Sequence, residues 1–273
     1  MKNILFTCFL FITFCLSLPA QTLRQLRKFV ELKMPKGPGD NGGTVAINSK
    51  NRYYYATVAG NKTYSMAYFN AVGEMMSPPD LSLLADVRGM WFSPALKTMQ
   101  ANGYGASGWF NYVLDESGVP YDIKPYLTGQ LQPYPNSVGQ YNQRENLVHF
   151  LKGSVVLAYN PATGKEVKEK TVLLKTGYSK KMLPPTDYKI DSFKVNTKYN
   201  STTVIYTGIS NAEFGLLNVE TNEIELYSKA DGLMTQKLKL PAEAHPTDKL
   251  NFSYCNNVYF IYEKAKRSWI GYR

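Results

Sequence analysis

Leu157-Ala158-Tyr159-Asn160-Pro161-Ala162-Thr163-Gly164-Lys165-Glu166-Val167 is the stretch that decides the fold. An apolar run ends at Asn160, a short turn holds Gly164, and a second strand-like run follows. Asn closes tight turns with its side-chain oxygen and tolerates left-handed backbone, and Gly takes that conformation without steric cost. The stretch therefore predicts a β-hairpin. Two earlier stretches, 67–74 and 112–119, repeat it around Asn70 and Asp115, so that Asn70, Asp115 and Asn160 stand 45 residues apart. Stretches 215–227 and 260–272 continue the series, with Asn218 and Glu263 again 45 apart. The step from Asn160 to Asn218 is 58 residues, read as one repeat plus a 13-residue insertion.

Upstream of each hairpin lies another run rich in Tyr, Val, Ile and Thr, such as 52–58 or 203–207. These are strand-forming residues. A four-stranded unit of about 45 residues has the size of one propeller blade. At this level, and through Gly42-Gly43-Thr44-Val45-Ala46-Ile47-Asn48-Ser49-Lys50-Asn51-Arg52-Tyr53-Tyr54, the chain resembles the NHL, YVTN and tryptophan-aspartate-repeat β-propellers. The tryptophan-aspartate dipeptide itself is absent. The resemblance implies an all-β propeller of about five to six four-stranded blades over residues 42–273. An irregular β-sandwich built from the same hairpins is the alternative. Residues 21–41 form a lead-in: 22–27 read as a helical turn or frayed start, and 29–34 as an outer strand closing the ring or the remnant of a sixth blade.

The first twenty residues read differently. Lys2 precedes a 15-residue apolar run from Ile4 to Leu18, then Pro19 and Ala20. This is the plan of a signal peptide cleaved after Ala20, since a membrane anchor needs about 20 apolar residues. Cys8 and Cys15 leave with it. Cys255 alone remains, which excludes an intramolecular disulfide and leaves stability to the core. Secretion or a periplasmic, cell-envelope location follows as an expectation, with no membrane span after cleavage. The chain has 273 residues, 44% hydrophobic and 19% charged, which excludes a disordered tail, a collagen-like fibre and a disulfide-dense miniprotein.

The formal net charge is +10. The basic residues are dispersed, and the insertion carries Lys180-Lys181, a candidate basic rim for an anionic envelope glycan or an acidic protein. Export disfavours nucleic acid. Trp91 and Trp109 are candidate stacking residues, and His245, in Ala244-His245-Pro246, is a candidate polar contact. His149 sits at an alternating strand position and reads as structural, and Cys255 as a buried small residue. Asp40, Asp86, Asp187, Asp191 and Asp248 lie near predicted inner strands. They read mainly as turn residues, with a calcium ion expected only if the tunnel proves acidic. Three N-glycosylation sequons begin at Asn61, Asn200 and Asn251. No nucleophile elbow, phosphate loop or zinc-ligand spacing is present. The expectation is a monomeric, exported, non-catalytic propeller without a cofactor, binding a protein or an envelope glycan. The alternative is a propeller hydrolase, metal-dependent and lactonase-like or glycan-active, with its site at the tunnel mouth.

Overall fold

The computed structural model describes residues 23–37, 39–60, 64–78, 81–83, 85–179, 194 and 196–273. The signal-like segment 1–20, Lys180, Lys181, Asp187, Asp191 and the Asn61 sequon lie outside the described residues. The described chain is a five-bladed β-propeller. Its only helical segments among the described residues are two three-residue turns, Lys168–Lys170 and Lys264–Lys266. No described helix is long and apolar enough to cross a membrane.

The chain enters through β1 (Arg24–Gln25) and β2 (Lys28–Lys33). Blade 1 holds β3 (Asn41–Ile47), β4 (Tyr54–Ala59), β5 (Tyr64–Phe69) and β6 (Ser82–Leu83). Blade 2 holds β7 (Val87–Ser93), β8 (Thr98–Gly103), β9 (Trp109–Leu114) and β10 (Pro120–Leu127). Blade 3 is β11 (Gln140–Asn142), β12 (Leu147–Lys152), β13 (Val155–Tyr159) and β14 (Val172–Leu173). Blade 4 is β15 (Ile205–Tyr206), β16 (Phe214–Asn218), β17 (Glu223–Tyr227) and β18 (Met234–Lys239). Blade 5 is β19 (Phe252–Cys255), β20 (Val258–Glu263) and β21 (Ser268–Tyr272), completed on its outside by β2.

Closure of the ring is therefore non-local. Strand β2 runs antiparallel to β21, with Leu32 opposite Trp269. Its buried Val30 and Leu32, with Met34 just beyond, pack in one cluster with Tyr54, Val58 and Phe69 of blade 1 and Phe260 of blade 5. The indole N–H of fully buried Trp269 donates to the Thr57 carbonyl of blade 1 at 3.1 Å. Segment 22–27 is not a helical turn in its described part: Arg24 and Gln25 add to the outer edge of blade 4, parallel to β18. An isolated pair of exposed residues gains its structure from that partner strand.

Five apolar clusters lie at the five junctions of consecutive blades, one to each. Each sheet is thus apolar on both faces. The alternating polar face expected of a solvated antiparallel sheet is missing from the central strands; β4, β13, β16 and β20 are buried at every position.

The repeat exists, but its phase shifts between copies. Asn70, Asp115 and Asn160 follow β5, β9 and β13, the third strands of their blades. Asn218 and Glu263 end β16 and β20, which are second strands. The true counterpart in blade 4 is Ser228, after β17. Asn70 Oδ1 accepts from the Val72 and Glu74 amides, Asp115 Oδ1 from Ser117 and Val119, Asn160 Oδ1 from Ala162, and Ser228 Oγ from Ala230. Asn218 makes the same local turn, accepting from Glu220 and Thr221. One turn chemistry serves two kinds of hairpin, so the 58-residue step is not one repeat plus 13. The long segment is the link from β14 to β15.

Candidate functional site

The inner strands β3, β7, β11, β15 and β19 run in the same sense around the axis, so one end of the ring collects their starts and the other their exits. Neighbouring inner strands are cross-linked. Ser253 Oγ accepts from the Val45 amide at 3.0 Å and donates to its carbonyl at 2.9 Å. Asn102, on the second strand of blade 2, bonds to Gly89, Ser137 and Gly139. These bonds tie blade 5 to blade 1 and blade 2 to blade 3 near the axis.

The first mouth lies where the inner strands exit. Four of its rim turns are built alike. Asn48, Ser93, Asn142 and Thr207 each accept a backbone N–H two or three residues onward. Four residues after each, Arg52, Lys97, Asn146 and Asn211 take left-handed backbone. This is the recurring signal that places the rim, and it involves side chains that the hairpin reading left aside. The fifth turn is a tight Asn256-Asn257 pair, both left-handed.

These turns surround a cavity of about 570 Å³. Its walls are aromatic: Trp91 and Phe92 from blade 2, Tyr141 from blade 3, Tyr206 from blade 4 and Tyr254 from blade 5. Tyr141 stacks on Trp91 with centroids 6.2 Å apart and planes at 24°. Between the rings stand the amides of Gln140, Gln143 and Asn256 and the hydroxyls of Ser49 and Thr207. Among the described residues this lining holds no carboxylate and no imidazole, and Arg144 is its one charged side chain. Burial pushes the phenols of Tyr141, Tyr206 and Tyr254 up, and raises the Cys255 thiol well above the ordinary thiol range. The titratable lining groups other than Arg144 are thus uncharged near neutral pH.

The second mouth lies at the strand starts. Here a cleft of about 640 Å³ is bordered by Asn41, Asp86, Tyr104, Asn136 and Asp248. The carboxylate of Asp86 is engaged by the buried Arg88 guanidinium, which also donates through Nε to Asn136 at 3.0 Å and lies 4.7 Å from the centre of the Tyr104 ring. Asp248 sits 3.8 Å from the Lys249 ammonium, both exposed. Asp40, outside this cleft, pairs with Lys264 at 3.3 Å. Among the described residues no group of three or more His, Cys, Asp or Glu side chains converges as a metal site would require.

The residues singled out from the sequence are scattered. Trp91 reaches the floor of the first mouth, 3% exposed, with its indole N–H given to Gln100 at 3.0 Å. Trp109 is fully buried, edge-on to Trp91 and tilted on Phe150. His245 is exposed on the link between β18 and β19 and pairs with Glu263 at 3.1 Å; that same link lines the second mouth through Thr247–Leu250. His149 is fully buried between Tyr206 and Phe214, and burial lowers its pKa to about 3. It packs as a neutral aromatic ring. The two described sequon asparagines are also internal: Asn200 is fully buried and Asn251 is 3% exposed, and the Asn200 amide donates to the Thr247 carbonyl at 2.9 Å. Neither presents an amide to solvent.

No family model and no curated protein matches the sequence. Among solved structures the chain is similar to Myxococcus xanthus glutaminyl cyclase, at 8% identity and a TM-score of 0.55, covering 92% of this chain and 96% of that one. It is also similar to a chain of a nidogen/laminin complex, at 10% identity and a TM-score of 0.41, covering 72% of this chain and 63% of that one. At 8% identity the first likeness establishes a shared propeller fold and nothing about chemistry.

Proposed function

We propose that the protein is an exported, monomeric, non-catalytic propeller that binds a cell-envelope glycan in the aromatic mouth at the inner-strand exits. One observation carries this reading: the aromatic-walled cavity at the inner-strand exits is otherwise lined mainly by amides and hydroxyls, with no carboxylate and no imidazole among the described residues. Proton transfer needs a group poised near the working pH, and the phenols and thiol here are pushed away from it. Stacked rings interleaved with amides suit the alternating apolar faces and hydroxyl edges of sugars. At the second mouth, Asp86 is held by Arg88 and so is poorly placed to act as a free acid or base.

The test is titration calorimetry of the mature chain against a panel of envelope oligosaccharides, beside incubation with a peptide bearing N-terminal glutamine and with a lactone. Binding without turnover is expected. The double variant Tyr141→Ala/Gln143→Ala should weaken binding at least tenfold. Product formation, or wild-type affinity in that variant, would reject the proposal.

A further inference from the structure

We propose that Arg144 makes the first mouth selective for an anionic saccharide, its guanidinium pairing with the carboxylate of a uronic-acid residue while Tyr141 and Tyr206 flank the sugar. This deepens the glycan-binding reading above and rests on it. The first observation is charge. Arg144 has no ion pair among the described residues. Its neighbour Glu145 is taken by Lys229 and stands 3.6 Å from Lys170, on the blade 3–blade 4 side of the rim. Arg144 is the one charged side chain of the lining, and a carboxylate matches its guanidinium fork in a bidentate way.

The second observation is placement. The Arg144 backbone N–H donates to Asn142 Oδ1 at 3.0 Å, and Asn142 is fully buried at the end of β11. The side chain therefore springs from a fixed turn, although the side chain itself is exposed. Arg144 of blade 3 and Tyr206 of blade 4 line the same cavity. The third observation is what surrounds the cation. Gln140 and Gln143 stand on the same blade and supply donors and acceptors for hydroxyls beside the carboxylate. The cavity volume falls within the roughly 300–1,000 Å³ of small-ligand pockets, enough for a short saccharide segment.

The experiment compares two probes of equal length on the intact mature chain, trigalacturonate and the neutral galactose trimer, with the acidic peptide acetyl-Ala-Ala-Glu as a third. Wild type should prefer trigalacturonate about tenfold, with a preference that fades as salt rises. In Arg144→Gln the ratio of the two affinities should fall near one, and Arg144→Lys should restore part of it. Equal affinity of wild type for both trimers would overturn the inference and leave glycan binding standing. Binding of neither trimer would bring down both. Retention of the tenfold ratio in Arg144→Gln would assign selectivity elsewhere. Tighter, Arg144-dependent capture of the peptide would replace the saccharide class by a peptide.

Discussion

Replacing Asn102 by alanine tests whether the propeller's inner ring is held by side-chain bonds between blades. Asn102 is fully buried on β8. Its Oδ1 accepts from the Gly89 amide at 2.9 Å and from the Gly139 amide at 3.0 Å, and its Nδ2 donates to the Ser137 carbonyl at 2.9 Å. Gly89 lies within the inner strand of blade 2, while Ser137 and Gly139 lead into that of blade 3. The approach is close: a Cβ on Gly89 would lie 2.3 Å from the Gly139 nitrogen. Asn102→Ala strands two backbone N–H groups and one carbonyl away from water. At about 1–1.5 kcal/mol per lost bond, with a larger cost for any group left unsatisfied, the loss is about 3–5 kcal/mol. For a chain of this size that lowers the melting temperature by roughly 6–20 °C. Thermal and urea unfolding of the mature chain would measure it, with Gly89→Ala as an independent probe of the same junction. A shift of less than about 2 °C for Asn102→Ala would show that the inner strands do not need these bonds.

Three further outcomes are expected. Trp269→Ala should cost about 3–5 kcal/mol, because it empties a core site at the closure of blade 5 on blade 1; deletion of residues 21–34 should abolish the cooperative unfolding transition, and a two-state melt of that deletion would contradict the closure. Glu225→Ala should cost about 3 kcal/mol by stranding the buried hydroxyls of Tyr199 and Tyr227, which donate to Glu225 Oε2 at 2.9 and 2.5 Å; in a double-mutant cycle, Tyr199→Phe should cost less in that background than alone. The third concerns acid. His149 is neutral when folded, with a pKa of about 3, but titrates near 6.5 when unfolded. Between those values the unfolded state binds the extra proton, so stability falls as pH drops from 6.5 toward 3. His149→Phe should remove that slope, gaining about 2 kcal/mol on wild type at pH 5 in urea titrations; parallel pH profiles for the two proteins would count against a buried neutral imidazole.

The candidate site was less legible than the fold, for a reason visible in particular residues. Trp91 drew attention as an aromatic and does reach the first mouth, but equally conspicuous Trp109 and Trp269 are core. Side-chain type gives no sign of which face of a strand looks inward when both faces are buried. The rim residues Gln143, Arg144 and Asn256 are ordinary polar turn residues. They become a site only because five turns from separate blades meet around one axis. A sequence signal did exist in the Asn48, Ser93, Asn142 and Thr207 turns, whose capping side chains sit at the exits of four inner strands. It was masked by the stronger Asn-and-Gly pattern of the outer hairpins.

Local chemistry is what the chain declares unaided: β-forming runs, tight turns at Asn70, Asp115 and Asn160, and enough hairpins for five blades. Those features arise within a few residues, from side-chain oxygens reaching neighbouring amides and from left-handed backbone at Gly and Asn. Pairing between distant strands decided the rest. It set Asn218 in a second-to-third-strand turn rather than a third-to-fourth, put β2 on blade 5 and β1 on blade 4, and gathered Tyr141, Arg144, Tyr206 and Asn256 at one mouth. A turn forms from its own residues, whereas a blade's partner is fixed by which buried faces fit across the ring.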